Sequence, residues 1–163
     1  MRVAIISDTH IPSRAAKLPP WVREIVGAAD HTLHAGDFDS ESAYETIAEL
    51  TDGNLTAVGG NMDRLDLPET ATVRLGGVEF VLTHGTGDLA GYRERVVETV
   101  EAENPDAVGV CGHTHEHMDE RVHGVRLLNP GSATGAAPAE FASVMTAEID
   151  DDTLSITLHT DRD

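Results

Sequence analysis

The sequence predicts an α/β sandwich of two packed, mixed β-sheets flanked by helices, formed as a single domain over residues 1–163. Two observations carry this. The first part of the chain alternates continuous apolar runs, typical of strands buried on both faces, with amphipathic helical segments. The last part alternates polar and apolar residues between short turns, as antiparallel strands do. At 163 residues and 40% apolar content, the chain can bury an ordinary core.

"RVAIIS" (Arg2 to Ser7) is the first strand, continuously apolar and β-rich. "LPPWVREIVGAA" reads as a helix with Pro20 in its first turn and Gly27 near its end. "HTLHAG" is a second strand. "SESAYETIAEL" is a second helix, with Ser42 and Glu45 at capping-box spacing and Ala43, Tyr44, Ile47 and Leu50 on one face. "NLTAVGG" is a third strand, completing a β-α-β-α-β opening that demands a mostly parallel arrangement.

"TATVRLGGVEFVLTHG" is a hairpin turning at Gly76-Gly77. A longer helix is expected from Leu89 to Glu103, with Leu89, Tyr92, Val96, Val97 and Val100 as its apolar stripe. Asn104-Pro105 stops it, because proline cannot continue a helix and restricts the residue before it. "DAVGVCG" is another buried strand, and "EHMDERVHGVRLLN", "ASVMTAEID" and "TLSITLHT" have the alternation of antiparallel strands.

The charge balance excludes some functions. Twenty-nine acidic residues face eleven basic ones, a net charge of −18, which opposes non-specific binding to nucleic acid or to an anionic membrane. Lys17 is the only lysine. Acids spread along the chain with lysine nearly absent favour adaptation to a high-salt, halophilic cytoplasm over a dedicated cationic partner. The chain shows no apolar run long enough to span a membrane and no signal-peptide h-region, so a cytoplasmic protein is expected. The single Cys111 lies in an apolar run, where a thiol behaves as a small hydrophobe.

The chemistry gathers where the strands end. The first closes with "SDTH" (Asp8, His10), the second with "HAGD" (Asp37) and the third with "GGNMD" (Asn61). The hairpin closes with "THG" (His84) and the later strand with "GHTH" (His113, His115). The carboxyl edge of an α/β sheet is where ligands collect, and the neighbouring glycines let backbone pass close to a bound group. Each residue alone is more readily a cap, a turn residue or a strand-end histidine; seven in this order are not. Two aspartates, four histidines and one amide oxygen make a thiolate-free N/O set suited to Mn²⁺, Fe²⁺, Ni²⁺ or Zn²⁺. Seven ligands exceed one tetrahedral ion and suit two metals sharing a carboxylate.

The ordered set "DTH … GD … GN … HG … GHTH", with "NPGS" (Asn129 to Ser132) after it, resembles the calcineurin-like metallophosphoesterases, in particular their small single-domain phosphodiesterases. The resemblance implies two divalent ions, manganese foremost, the first held by Asp8, His10, Asp37 and His115. The second falls to Asp37, Asn61, His84 and His113, so Asp37 bridges. It implies hydrolysis of a small phosphate ester, by subgroup a diester rather than a monoester, through in-line attack of a metal-bound hydroxide, with Asp37, Asn61, His84 and His113 as the catalytic residues. His34 and Asp63 are candidates for supporting roles behind the ligands, and a homo-oligomer is compatible with the sequence.

One position departs from the family. Where many members follow the asparagine with a histidine, this chain has Met62, which can neither donate a proton nor bind phosphate. Asp63 could replace it only with a raised pKa. His117 has no ligand role in the family and is expected on the site rim or surface. His31, His123 and His159 are expected in solvent, and Arg14 and Arg64 in surface ion pairs. The competing class is a protein-interaction scaffold of the same fold, as a small retromer subunit is; amide hydrolysis is a distant third.

Overall fold

Strand β1 (Arg2–Ile6) sits at the centre of the first sheet, where its side chains are sorted by period-2 alternation. Val3 and Ile5 face the interior of the sandwich, while Ala4 and Ile6 face the helices, and all four are fully buried. The structure, a computed structural model, describes residues 1–161.

Helix α1 (Pro20–Ala28) follows, then β2 (His31–His34), α2 (Glu41–Leu50) and β3 (Leu55–Ala57). β1, β2 and β3 pair in parallel, as the right-handed crossover rule leads one to expect of β-α-β units. β9 (Ser143–Asp150) pairs antiparallel with β1, and β10 (Thr153–Thr160) with β9, giving the order β10-β9-β1-β2-β3. The second sheet comprises β4 (Thr70–Leu75), β5 (Val78–Thr83), β6 (Val108–Val110), β7 (His117–Val122) and β8 (Val125–Pro130). Its order is β4-β5-β6-β8-β7, parallel across β5-β6-β8 and antiparallel at both edges. Helix α3 (Tyr92–Glu103) covers its outer face through Val96, Val97 and Val100.

Between the sheets, Ile5, Leu33, Phe80, Leu82, Leu128 and Met145 form the central core. Truncating one of these, for example Leu82→Ala, costs about 2–5 kcal/mol by transfer and cavity terms. The turn between β4 and β5 is the two-residue Gly76-Gly77, both at positive φ (57° and 88°), the backbone a tight hairpin requires.

Four expectations are corrected. The N-cap of α2 is Ser40, whose hydroxyl accepts from the Ala43 N–H, and not Ser42; Ser42 is the second residue of the helix, where its carbonyl accepts from the Thr46 hydroxyl. Helix α3 begins at Tyr92, because Gly91 adopts a left-handed N-cap conformation; Leu89 is left outside it and is 70% exposed. β2 and β3 stop earlier than their apolar runs, freeing Ala35–Gly36 and Val58–Gly60 to bend toward the sheet edge. The tail is not wholly antiparallel, since β8 inserts beside β6 in parallel register.

Candidate metal centre

Asp8, Asp37, His84, His113 and His115 follow the carboxyl ends of β1, β2, β5 and β6, which the two sheets bring to one edge of the sandwich. The backbone there is held in an unusual state. Asp8, His10, Asp37, His113 and His115 all have positive φ, between 45° and 75°. Non-glycine residues pay of order 1 kcal/mol or more for that conformation, and the cost is tolerated chiefly at functional sites. Gly112 permits the approach of β6 to β1, since a Cβ there would collide with Ser7 Oγ and Asp8 Oδ2.

The side chains converge in two tight groups, Asp8 with His10 and His115, and Asp8 with Asp37 and His84; within each, the ligand atoms lie within 4.8 Å of one another and all residues are buried. Asp8 Oδ1 lies 3.3 Å from His115 Nε2, 3.7 Å from His10 Nε2 and 3.8 Å from His84 Nε2. Asp37 Oδ2 lies 3.5 Å from His10 Nε2 and 3.1 Å from His84 Nε2, so it faces both groups. Asn61 Oδ1 joins on the outer side, 3.0 Å from His84 Nε2 and 3.2 Å from His113 Nδ1. Asn61 is exposed and His113 half-buried, so the centre opens to solvent on their side.

Each imidazole is oriented from behind. His10 Nδ1 faces Asp39 Oδ1 at 2.9 Å, His84 Nδ1 the Ala35 carbonyl at 2.7 Å, and His115 Nδ1 the Ala136 carbonyl at 2.8 Å. An acceptor behind Nδ1 keeps the proton there and leaves the Nε2 lone pair facing the centre, as in metal-ligating histidines. His113 is reversed: Nε2 donates to the Gly87 carbonyl at 2.8 Å and Nδ1 faces Asn61.

The result is a set of converging lone pairs. His10 and His115 point their Nε2 atoms at each other at 3.1 Å, and Asp8 Oδ1 is buried with no hydrogen-bond partner. A buried acceptor left without a donor costs about 1–3 kcal/mol, more when charged. A cation satisfies all of them at once, and the donor set of imidazole, carboxylate and amide oxygen fits a divalent transition metal.

The electrostatics agree. Burial pushes the Asp8 carboxyl up, but the neighbouring imidazoles of His10, His115 and His84 outweigh it and hold the group far below its usual range. For Asp37, burial is again opposed, here by His84, with a net lowering. Burial lowers His10 and His84, but Asp8 beside His10 and Asp37 beside His84 raise both overall.

His34 and Asp63 support the backbone rather than a ligand's ring or carboxylate. His34 is fully buried and stacked on Phe38 at 3.6 Å; its Nδ1 accepts from the Gly36 N–H at 3.0 Å, and its Nε2 faces Thr9 Oγ1 at 3.3 Å. Burial drives its pKa down to about 3, so the ring is neutral. Asp63 Oδ2 accepts from the N–H groups of Asp37 (2.8 Å) and Gly60 (3.0 Å), and Oδ1 from that of Asp39 (2.9 Å). Both oxygens are thus turned to the backbone, not toward a leaving group. Met62 is 43% exposed beside Asn61.

Two supporting residues carry no clear mark in the sequence: Asp39, although "GDFD" places this second carboxylate two residues after Asp37, and Ser7, whose hydroxyl donates to Asp8 Oδ2 at 2.7 Å. Asn129 and Ser132 tie the loops beneath the centre together: Asn129 Nδ2 donates to the Gly112 carbonyl at 3.1 Å, and Ser132 Oγ to the Asp8 carbonyl at 2.7 Å. His117 and His123 are exposed, whereas His31 and His159 are half-buried and bonded to Thr56 and Thr146 rather than standing in solvent. Arg14 is exposed and donates to the Ala137 carbonyl at 2.8 Å rather than to a carboxylate. Cys111 is buried, which pushes its thiol up to about 12 and makes it a poor nucleophile.

Residues 1–152 match the model of the calcineurin-like phosphoesterase superfamily domain. A probable metallophosphoesterase of Methanothermobacter thermautotrophicus is 32% identical over 161 residues, covering 94% of this chain and 89% of its own. Another, of Methanocaldococcus jannaschii, is 28% identical over 151 residues, covering 93% and 77%. Among solved structures, the zinc complex of Vps29 from Entamoeba histolytica superposes with a TM-score of 0.83 at 29% identity, over 98% of this chain and 92% of that one.

Proposed function

The chain belongs to the calcineurin-like phosphoesterase superfamily, and on that premise we propose that it is a dinuclear-metal phosphodiesterase acting on a small phosphate ester. The observation that carries this reading is the convergence of Asp8 Oδ1, which has no protein donor, with the Nε2 atoms of His10, His84 and His115. In the proposal, Asp8, His10, Asp37 and His115 hold one ion, and Asp37, Asn61, His84 and His113 the other. Two such ions supply the positive charge that clamps a phosphoryl group and activates the attacking water. Manganese is the proposed native metal; the zinc bound by the Entamoeba Vps29 keeps zinc among the candidates.

The residues of the chain do the rest. Asp37, facing both groups, fixes their separation. Asn61 and His113, on the open side, meet the incoming phosphoryl group first. Asp39 and the Ala35 and Ala136 carbonyls keep the imidazoles from turning. With Met62 unable to protonate a leaving group and Asp63 engaged by three backbone N–H groups, substrates with good leaving groups are favoured. The preference for diesters rests on the resemblance to the small subgroup. The acidic composition is read as salt adaptation of a cytoplasmic enzyme; no helix among the described residues is long and apolar enough to cross a membrane.

Similarity to Vps29 keeps a protein-interaction scaffold as the second reading. The two separate on one assay: hydrolysis of bis(p-nitrophenyl) phosphate in high salt by chelator-stripped protein, with single divalent metals added back and Asp37→Ala beside it. Metal-dependent turnover that the substitution abolishes is expected. Folded, metal-loaded protein that turns over neither this diester nor p-nitrophenyl phosphate would favour the scaffold.

A further inference from the structure

A cleft of about 400 Å³ runs from Asn61 and His84 away from the metal centre toward Arg95, lined also by Thr83, Thr86, Leu65 and Leu67. Arg95 stands apart from the other cations. Of the arginines that are not fully exposed, Arg126 is paired with Asp119 at 2.8 Å, whereas Arg95 has no carboxylate within ion-pair distance among the described residues. Its Nη2 donates to the carbonyls of Gly85 (3.0 Å) and Asp88 (2.9 Å), its Nε is buried without a partner, and its Nη1 has no partner among the described residues. The guanidinium also lies over the Tyr92 ring at 6.0 Å, but neither that ring nor the two carbonyls carries a counter-charge, and a half-buried cation without one is conspicuous in a chain of net charge −18. The carboxylates sharing the cleft do not relieve it: Asp63 is occupied by backbone N–H groups, and Glu69 is exposed.

We propose that Arg95 reads a second phosphate, carried on the ester substituent of the substrate, and so determines specificity. The inference rests on the phosphoesterase reading above. With the scissile phosphoryl group at the metal centre, a substituent extending into the cleft places its far end at the guanidinium. Guanidinium and threonine hydroxyls suit a tetrahedral oxyanion, and Leu65 and Leu67 offer an apolar wall to a sugar-sized group.

The test is calorimetric binding to the manganese-loaded protein of a non-hydrolysable 5′-phosphonate of thymidine, with and without a 3′-phosphate. The 3′-phosphate is expected to tighten binding to the wild type by about tenfold or more, the scale of one well-placed charged hydrogen bond. Arg95→Gln should erase that ratio while leaving the plain phosphonate nearly unchanged, and Arg95→Lys should restore part of it. A ratio near one in the wild type, or one that survives in Arg95→Gln, overturns the proposal. Equal weakening of both ligands in Arg95→Gln also overturns it, assigning Arg95 to the Gly85–Asp88 loop alone, and so does failure of both ligands to bind. If the ratio behaves as expected but no diester is hydrolysed, the phosphoesterase reading fails and the anion site stands.

Discussion

Asp37 and Asp63 hold each other's loops. Asp63 Oδ2 accepts the Asp37 N–H at 2.8 Å, and Asp37 Oδ1 accepts the N–H of Met62, the residue before Asp63, at 2.8 Å. The other oxygen of Asp37 is thereby left for the centre, where it faces His10 and His84. The loop that carries Asn61 and the loop that carries Asp37 are thus one unit.

Breaking that unit should loosen the metal without unfolding the chain. Asp63→Ala removes the acceptor of three backbone N–H groups at a half-buried position. Loss of such supporting contacts typically costs 10- to 100-fold in metal affinity, and about that loss is expected by manganese titration, with the far-ultraviolet circular dichroism retained. Unchanged affinity would show that the clamp does not position Asp37.

Gly60→Ala should act on the same unit by crowding. A Cβ at this position would collide with Asp37 Oδ1 and the Asp37 nitrogen. Relief of the clash requires displacement of Asp37, so metal affinity should fall at least as far as in Asp63→Ala. Wild-type affinity in Gly60→Ala would mean that the two loops can separate freely.

Asp39→Asn tests the orientation of His10. The amide can still present an oxygen to Nδ1 but no charge, so a modest loss of metal affinity is expected, and a larger one for Asp39→Ala, up to about 100-fold. Titration should show the loss on one class of site, because Asp39 touches only His10 among the proposed ligands. Equal loss at both sites would contradict that.

His34 predicts a pH dependence of stability in the metal-free protein. Its pKa falls from the ordinary 6.5 to about 3 on burial. Between those values the unfolded chain binds a proton that the native ring refuses, so stability is lost as pH falls through that window, by at most about 1.4 kcal/mol per pH unit. Comparing urea unfolding of wild type and His34→Gln isolates this contribution from those of the ligand residues. Parallel stability profiles for the two proteins would assign the acid sensitivity elsewhere.

Much of this site was legible because its chemistry falls at strand ends. Asp37, His84 and His113 are marked by an apolar run that stops at a polar residue beside glycine, and Asp8 by the end of the first apolar run, signals local in sequence. The supports were less visible. Asp63 is marked in the sequence as a candidate support, but only the fold brings its oxygens to the N–H groups of residues 37 and 39. Asp39 reads as a turn residue until His10 arrives from another strand. Arg95 sits on a helix as any surface cation does, and its lack of a counter-charge is a property of the packed structure. The misplaced start of α3 has a local cause: Leu89 continues the helical period, but Gly91 turns left-handed and caps the helix after it.

The claim that two ions share this centre is tested most directly by anomalous diffraction from crystals of the protein grown with manganese in high salt. Two manganese peaks about 3.5–4 Å apart are expected, one beside Asp8, His10 and His115, the other beside Asn61, His84 and His113, with Asp37 between them. A single peak, or none in protein saturated with the metal, would contradict the dinuclear account.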